Sequence, residues 1–329
     1  MNDKLSTPNL ASLFIAACSA MACSAAAQVN LYSNAFPGPT PNPDNPGLST
    51  GDRTLSNVAA PTGFVWSEVA TLSATESNAV AGFSTHALGP DSAYRFADDF
   101  TVPEGPGWRV TSFTFYAYQT DATAAPIASL NLRIWNGRPD LPTSQVIFGD
   151  TSTNRLESSI SSGIYRVFTT LTSPLGGAPG SSRLIWASRA NASVVLAPGT
   201  YWVDWQYTST NPDKEAFSPP ITLPGQRSRP NWNALQFRSE PAMDGAGVWT
   251  AVMDPGKPAS AADVAQDLPF IIAGTCPGDF NLDGQTDFFD FLEFVDAFGN
   301  DAPTADINAD GQVDFFDYLD FSNAFGLCA

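Results

Sequence analysis

The amino-acid sequence predicts a mainly β protein, a jelly-roll-like β-sandwich followed by a small α-helical module. Between residues 63 and 275, short runs of β-branched and aromatic residues are separated by clusters of Pro, Gly, Asn and Asp. Several runs place apolar residues at every second position, which is typical of strands with one buried face. After residue 276 the apolar residues recur at spacings of three and four, which indicates short helices instead.

Three segments show the two-residue alternation most clearly, and we predict a strand in each of 113–118, 130–135 and 201–207. Shorter runs bounded by turn residues predict further strands at 63–71, 94–102, 144–150, 163–169, 182–188, 194–196, 234–238, 247–252 and 270–273. Many short strands joined by turns are the pattern of an all-β sandwich, and this region is long enough to supply its core.

Residues 1–27 have the features of an export signal. A short polar segment with Lys4 precedes a run of small and apolar residues, and the Ala triplet at 25–27 predicts cleavage before Gln28. A membrane anchor is disfavoured because the apolar run is shorter than the roughly 20 residues that span a bilayer. A lipoprotein attached at Cys18 is the less favoured alternative. The mature protein is therefore expected to be extracellular or at the cell surface.

The remaining chain divides into three parts. Residues 28–62 are rich in Pro, Gly, Asn and Ser, and we expect an irregular leader there. The sandwich is expected over 63–275 and the helical module, called the tail from here on, over 276–329. Only two residues separate the last predicted strand from the tail, so no flexible linker is expected.

Negative charge is concentrated in the tail. The chain has a formal net charge of −18, and residues 276–329 contain twelve Asp and Glu but no Lys or Arg. A chain this acidic has no electrostatic reason to bind nucleic acid or an anionic membrane. No segment after the signal reaches the roughly 20 apolar residues of a membrane helix, so no membrane span is predicted. Such dense carboxylates in one short module instead indicate bound cations.

The tail repeats itself with a period of 27 residues. Residues 279–299 read DFNLDGQTDFFDFLEFVDAFG and residues 306–326 read DINADGQVDFFDYLDFSNAFG, with 14 of 21 positions identical. The second part of each copy predicts a helix. The apolar stripe of these helices is predicted at Phe288, Phe291, Leu292, Val295 and Phe298, and at Phe315, Tyr318, Leu319 and Phe325.

The first twelve residues of each copy match a calcium-binding loop. EF-hand-type loops supply oxygen ligands from positions 1, 3, 5, 7, 9 and 12, with Gly at position 6 for a sharp turn. The predicted ligands are Asp279, Asn281, Asp283, the Gln285 carbonyl, Asp287 and Asp290 in the first loop, and Asp306, Asn308, Asp310, the Gln312 carbonyl, Asp314 and Asp317 in the second. Two Ca²⁺ ions are therefore predicted, whereas Mg²⁺ would need a smaller octahedral site.

The duplicated loop resembles a dockerin, in which the pattern D-x-N-x-D-G-x-x-D-x-x-D is followed by one helix and the entering helix of an EF-hand is lacking. It is most similar to dockerin-like tails of exported planctomycete-type proteins, which begin with Cys-Pro-Gly-Asp and finish near Gly-Cys. Here the start is at residues 276–279 and a slightly altered finish is at 326–328. The resemblance covers 276–329, and it implies calcium-dependent folding and attachment to a cohesin-like partner.

Two aromatic pairs depart from the dockerin pattern. Phe288-Phe289 and Phe315-Phe316 stand where dockerins usually carry small polar residues, and the helices lack the usual basic residues. We expect one Phe of each pair to fill the core of the tail and the other to be exposed. The second ring would then either form a docking surface for a protein partner or pack on the β-domain, and both alternatives stay open.

Cys276 and Cys328 bracket the tail, and they are the cysteines that remain once the signal is removed. In an oxidising compartment they can form one disulfide. Closing a loop of roughly 50 residues would contribute on the order of 4 kcal/mol in the chain-entropy model. Free thiols are the alternative.

The predicted sandwich offers few catalytic candidates, and we assign no catalytic residue. The one histidine, His86, rules out a multi-histidine zinc site. Acidic candidates for a glycosidase-type pair are Asp98, Asp99, Glu104, Asp204, Asp213, Glu215 and Glu240. Neighbouring strand residues point to opposite faces, so we expect Asp98 and Asp99 to be solvated charges rather than one site.

Four tryptophans could offer faces for sugar stacking, Trp135, Trp202, Trp232 and Trp249. Aromatic residues on sandwich strands belong more often to the core. Two functions therefore stay open. One is an exported, non-enzymatic binding or structural protein tethered by its tail. The other is a polysaccharide-active hydrolase or carbohydrate-binding protein that the tail delivers to a complex.

Overall fold

The computed structural model describes residues 28–35, 47–69, 76–84, 93–104, 107–168, 179–211, 213–223, 225–239, 247–281, 285–308 and 310–325. The strands within these ranges are β1 (Val29–Ser33), β2 (Val65–Glu68), β3 (Phe83–Ser84), β4 (Ala93–Val102), β5 (Trp108–Tyr118), β6 (Ile127–Trp135), β7 (Val146–Gly149), β8 (Leu156–Val167), β9 (Leu184–Leu196), β10 (Gly199–Ser209), β11 (Phe217–Ser218), β12 (Leu235–Ser239), β13 (Val248–Ala251), β14 (Met253–Asp254), β15 (Val264–Ala265) and β16 (Phe270–Thr275). The α-helices are α1 (Phe288–Gly299) and α2 (Phe315–Phe325), with a single 3₁₀ turn at Pro303–Ala305 between them.

Most of the strands form two sheets. The larger sheet has the order β1-β16-β5-β9-β8-β2, with β11 beside β5 and β3 beside β11, and the smaller has the order β13-β12-β4-β10-β6-β7. The pairing is antiparallel except between β2 and β8. The chain crosses from one sheet to the other between β4 and β5, β5 and β6, β7 and β8, and β9 and β10, as in a jelly roll. The predicted mainly β sandwich followed by a small helical region is confirmed.

The two sheets pack face to face through aromatic side chains. Trp205 of β10 stacks on Phe115 of β5 with 4.5 Å between ring centroids, and Phe100 of β4 contacts Phe113 of β5 at 6.2 Å. All four are buried in one hydrophobic cluster that both sheets line. The alternation predicted at 113–118, 130–135 and 201–207 therefore placed the correct residues in the core.

The larger sheet is also covered on its outer face. Tyr116 and Tyr118 of β5, which alternate with the core phenylalanines, are buried in a second cluster with Leu48, Val69 and Ala81. The expectation of one buried face was therefore wrong for β5. The cover consists of chain segments without regular strands, and hydrophobic alternation contains no signal for them.

The segment predicted as an irregular leader begins with a strand. β1 pairs with β16, and the side chain of Asn34 bridges the same strand by donating to the Leu268 carbonyl (3.0 Å) and accepting from the Phe270 N–H (2.7 Å). The expectation of irregular structure over 28–62 was thus wrong at its start. The reason is that β1 is stabilised by pairing with residues more than 230 positions away in sequence.

Several strands differ in length from the predictions, and β5, β6 and β8 begin three to seven residues before the predicted segments. Segments 182–188 and 194–196 belong to one strand, β9, whose pairing with β5 contains an irregularity opposite Val110 and Ser112. The short strands β3, β11, β14 and β15 have two residues each and were not predicted. A two-residue strand is too short for a periodic pattern.

Candidate metal centre

Each tail helix begins where a predicted calcium loop ends, and position 9 of the loop caps it. In α1, the side chain of Asp287 accepts from the backbone N–H of Phe289 (2.8 Å), while Asp290 accepts from the N–H of Asp287 (2.8 Å). This reciprocal arrangement is a capping box. In α2, Asp314 accepts from the N–H of Phe316 at 2.8 Å. The capping contact at position 9 is therefore made in both copies.

The carboxylates at position 12 are buried beneath their loops. Asp290 and Asp317 are both fully buried. Asp290 also accepts from the N–H of Asn281 at 3.0 Å, and Asp317 accepts from the N–H groups of Ile307 (2.8 Å) and Asn308 (3.3 Å). Asp317 further accepts from the N–H of position 9 at 2.8 Å, as Asp290 does. In both copies one carboxylate thus connects the start of the loop to its end.

The second loop folds its oxygen-bearing side chains back over its own backbone. Asp306 accepts from the N–H groups of Asp310 (3.1 Å) and Gly311 (2.9 Å), and Asn308 accepts from the same Asp310 N–H at 2.9 Å. Asp310 accepts from the N–H of Gln312 at 2.9 Å. Gly311 has a φ of 88°, a left-handed conformation that favours glycine. The oxygens of positions 1 and 3 therefore converge on one amide inside a sharp turn.

The first loop is described at both ends. Asp279 at position 1 is buried, and Asp287 and Asp290 make the contacts given above. Asp283 and Gly284 lie outside the described residues. Their predicted roles as ligand and turn residue therefore stay predictions.

The donor chemistry of the two loops fits calcium. Carboxylate, amide and main-chain carbonyl oxygens are the hard ligands that this ion takes in proteins. Among the described residues, no three His, Cys, Asp or Glu side chains stand together as a metal-binding group. In the second loop, Asp306, Asp310 and Asp317 instead point their oxygens at backbone N–H groups. The carboxylate oxygens of the second loop thus accept hydrogen bonds from the loop's own backbone N–H groups.

The tail helices pack through a row of residues that differs from the predicted stripe. The rings of Phe294 and Phe321 stack with 4.0 Å between centroids, and both are fully buried. The prediction was wrong for six stripe residues, which are exposed: Phe288, Leu292, Val295, Phe315, Tyr318 and Leu319. Apolar residues occur around most of each helix, so their spacing alone did not identify the buried row.

The two phenylalanine pairs are on the surface. Phe288, Phe289, Phe315 and Phe316 are each 63% to 64% exposed. The expectation that one ring of each pair fills the core was therefore wrong, and these rings do not pack on the described part of the β-domain. The reason is local, since the capping aspartate places both rings in the first helical turn while the buried side chain of that turn is the position-12 aspartate.

The tail follows the sandwich without a linker. β16 ends at Thr275, which pairs with Arg109 of β5, and a cavity of about 320 Å³ at this junction is lined by Arg109 and by tail residues that include Asp279 and Glu293. Burial lowers the pKa of Arg109, and the nearby Asp306 carboxylate raises it. One arginine from the sandwich thus faces the acidic tail, which has twelve carboxylates of its own.

Cys276 at the start of the tail is buried and disulfide-bonded. Its predicted partner, Cys328, lies outside the described residues. The pairing of these two cysteines therefore stays a prediction. The signal segment 1–27, with the alternative lipoprotein site at Cys18, also lies outside the described residues.

Asp98 on β4 was expected to be a solvated charge, and that expectation was wrong. Its side chain is buried on the inner face of the sheet, where it accepts from the N–H groups of Leu268 (2.8 Å) and Asp99 (3.0 Å). Burial, and next the charge of Asp267, raise the pKa of Asp98 well above its usual value. Burial, with the charge of Asp99, raises the pKa of Asp267 to about 7.

The raised pKa values of Asp98 and Asp267 predict how the stability of the sandwich depends on pH. A raised pKa means that the folded chain binds the proton more tightly than the unfolded chain, in which Asp titrates near 4. The contribution of these two protonated groups to the free energy of unfolding is therefore complete below about pH 4, and it is lost as the pH rises toward 7. With a calcium chelator present throughout, we expect the Tm of the sandwich to be higher at pH 5 than at pH 8. Asp267→Asn should flatten this dependence, and an unchanged slope would contradict the assignment.

Of the other acidic candidates, Asp99 is the neighbour of Asp98 on β4, and its charge acts on Asp267. Asp204 is buried in ion pairs with Arg95 and Arg133, whereas Glu104 and Asp213 are exposed and Glu215 is half-buried. Glu240 and His86 lie outside the described residues. The described carboxylates that lie close together in the sandwich are thus Asp98, Asp99 and Asp267, and of these Asp98 is buried whereas Asp99 and Asp267 are half-buried.

The four tryptophans are largely occupied by protein contacts. Trp202 and Trp232 are buried, and Trp135 and Trp249 are half-buried. Arg133 lies over the ring of Trp135 at 4.8 Å and Arg138 over that of Trp202 at 5.5 Å. The alternative that tryptophans on strands belong to the fold is therefore favoured over a row of sugar-stacking faces.

Within the described residues, no helix has the length and apolar character that crossing a membrane requires. Comparison of the chain with protein-family models, curated proteins and solved structures found no match. The candidate site is therefore assigned from its own geometry and donor chemistry.

Proposed function

We propose that the chain is an exported, non-enzymatic binding or structural protein whose β-sandwich is tethered through a dockerin-like tail that binds two Ca²⁺ ions. One observation carries the proposal, the duplicated twelve-residue loop in which the buried position-12 carboxylate makes the same two kinds of contact in both copies. Oxygen donors repeated at the spacing of calcium ligands are difficult to explain by solvated charge alone.

The metal would supply positive charge to loops that contain none. Asp306, Asn308, Asp310 and Asp317 of the second loop would hold one ion, and the equivalent residues of the first loop the other. The protein's own contribution is the turn at Gly311, which gathers the donors before an ion arrives. The aspartate at position 9 belongs to the loop and also caps the helix. Calcium that orders the loop would therefore also stabilise the start of the helix that follows.

The exposed phenylalanine pairs support a docking role for the tail. Each helix start exposes one pair of large apolar rings, and exposed apolar surface of this kind often binds other proteins. We propose a cohesin-like or other cell-surface protein as the partner, as the dockerin resemblance implies. The export signal predicted at 1–27 places this interaction outside the cytoplasm.

Recognition of a polysaccharide by the sandwich is the second candidate function. A cavity on the outer face of the larger sheet favours it, because aromatic rings and an arginine line that cavity together. This function would be delivered to its place of action by the same tail.

A matched pair of variants tests the calcium sites. Asp306→Asn should abolish one of the two binding events in a calorimetric Ca²⁺ titration of the full chain, because position 1 is a direct ligand. Asp301→Asn removes the same charge from an exposed residue between the loops, and it should leave both events in place. Equal titrations of the two variants would contradict the ligand assignment.

A further inference from the structure

A second cavity of about 320 Å³ lies on the outer face of the larger sheet. It is lined by residues 79–82, Tyr118, Thr120, Phe168, Arg183 and Phe217. Tyr118 ends β5, Phe217 belongs to β11, and Arg183 directly precedes β9. The cavity therefore forms where the covering segment 76–84 meets the end of the sheet, and neither the acidic candidates nor the predicted calcium ligands are among its lining residues.

A buried hydroxyl group faces this cavity. Tyr118 is only 3% exposed, and it lines the cavity. A Cβ atom added to Gly82 would lie 2.9 Å from that hydroxyl, so the glycine keeps the space open. Burial raises the pKa of Tyr118, and the charges of Arg166 and Arg183 lower it. Both cations therefore lie close enough to act on the phenol oxygen.

Positive charge around the cavity is not balanced locally. Arg166 is fully buried, and its guanidinium donates to neutral oxygens of Ala81 (2.7 Å), Ser67 (2.9 Å) and Thr222 (2.6 Å). Burial lowers the pKa of Arg166 to about 10. Within the described ranges no carboxylate lies at ion-pair distance from Arg166, and a buried cation in that state favours an anion nearby.

Two further cations lie beside Phe168, which lines the cavity. Arg183 and Lys257 both lie over the ring of Phe168, at 5.2 Å and 5.5 Å from its centroid. Within the described residues neither forms a salt bridge. The carboxylate that acts on Arg166 is Asp254, which already accepts from the N–H of Ala79 at 2.9 Å and faces another arginine at 3.6 Å.

The apolar part of the cavity is aromatic. The rings of Tyr118 and Phe217 stack with 5.6 Å between centroids, and Phe168 lies beneath Arg183 and Lys257. Aromatic walls accept the apolar face of a ring, while a cation and a hydroxyl donor suit a carboxylate. The volume lies within the range of small-molecule sites.

We propose that this cavity binds an acidic sugar unit, in which Arg183 pairs with the carboxylate, the Tyr118 hydroxyl donates a hydrogen bond, and Phe217 covers the ring. The proposal names a sugar class for the second candidate function, which is recognition of a polysaccharide by the sandwich, and it rests on that function alone. A failure here would leave the calcium-binding tail unaffected, because the titration of Asp306 variants measures that separately.

Calorimetry or ligand-observed NMR on the full chain tests the proposal with D-glucuronate as the probe. D-Glucose is the matched neutral sugar and acetate is the bare carboxylate. We expect glucuronate to bind at least tenfold more tightly than either, because glucose lacks the carboxylate and acetate lacks the sugar ring. No glucuronate binding at millimolar concentration, or equal binding of glucose or acetate, would overturn the proposal.

Three variants locate the site. Arg183→Gln should weaken glucuronate binding about tenfold or more, and Tyr118→Phe should weaken it by a smaller factor, because it removes only the hydroxyl. Arg238→Gln, which neutralises an exposed arginine on the other sheet, should leave the affinity unchanged. A thermal unfolding curve for each variant confirms folding, and unchanged affinity in folded Arg183→Gln would also overturn the proposal.

Discussion

Removal of calcium is expected to unfold α1 and α2 while the β-sandwich stays folded. The tail has twelve carboxylates and no Lys or Arg. The carboxylates within each loop therefore repel one another once the calcium ions are removed. Its core is small, with Phe294, Ala305, Ile307 and Phe321 as the buried residues of its cluster, and a module of this size has little stability to lose. Circular dichroism at 222 nm should fall on adding chelator and recover on adding Ca²⁺.

The sandwich provides the internal control for this experiment. Its thermal transition, followed by tryptophan fluorescence, should persist in chelator because the core between the sheets contains no predicted calcium ligand. Replacing Ca²⁺ by Mg²⁺ should restore the helical signal poorly, since Mg²⁺ requires a small octahedral site. Loss of both transitions together would show that the tail and the sandwich fold as one unit, contrary to the boundary at residue 276.

Asp204→Ala is expected to destabilise the sandwich by about 3–5 kcal/mol, the range for breaking a buried ion pair. Asp204 is fully buried, and it accepts from the Nε atoms of Arg95 (2.6 Å) and Arg133 (2.8 Å) and from the indole N–H of Trp135. Removing the carboxylate leaves the buried Arg95 without its counter-charge. Denaturant unfolding followed by tryptophan fluorescence measures the loss.

Asp140→Ala is the matched control for this variant. Asp140 also pairs with an arginine, Arg138, at 2.8 Å, but both side chains are about one-third exposed. An exposed pair contributes about 0–1 kcal/mol, so this variant should unfold close to the wild-type midpoint. Equal destabilisation by the two substitutions would contradict the claim that burial makes the Asp204 network important.

The features that could be predicted from sequence are those whose cause is local. The inner residues of β5 and β10 were identified because a strand alternates its side chains, whatever it packs against. The ends of the loops were identified because the repeated spacing of oxygen-bearing residues lies within twelve positions, and each helix was predicted to follow its loop. For the same reason Asp287 carried a signal that was missed, since an N-cap there places Phe288 and Phe289 in the exposed first turn.

The features that escaped prediction depend on distant parts of the chain. Asp98 is buried because the amide of Leu268, 170 residues away, meets its carboxylate. The outer face of β5 is buried because segments near Leu48 and Ala81 cover it. The cavity beside Tyr118 has the same origin, because its lining comes from five separate stretches of the chain. Neither composition nor periodicity contains these contacts.

The central claim is that the duplicated aspartate loops exist to hold two calcium ions. Equilibrium dialysis of the full chain against radioactive Ca²⁺, over micromolar to millimolar free concentrations, counts the bound ions directly. The account predicts saturation at two ions per chain, falling to one in Asp306→Asn. A wild-type chain that retains no calcium at millimolar concentration would contradict it.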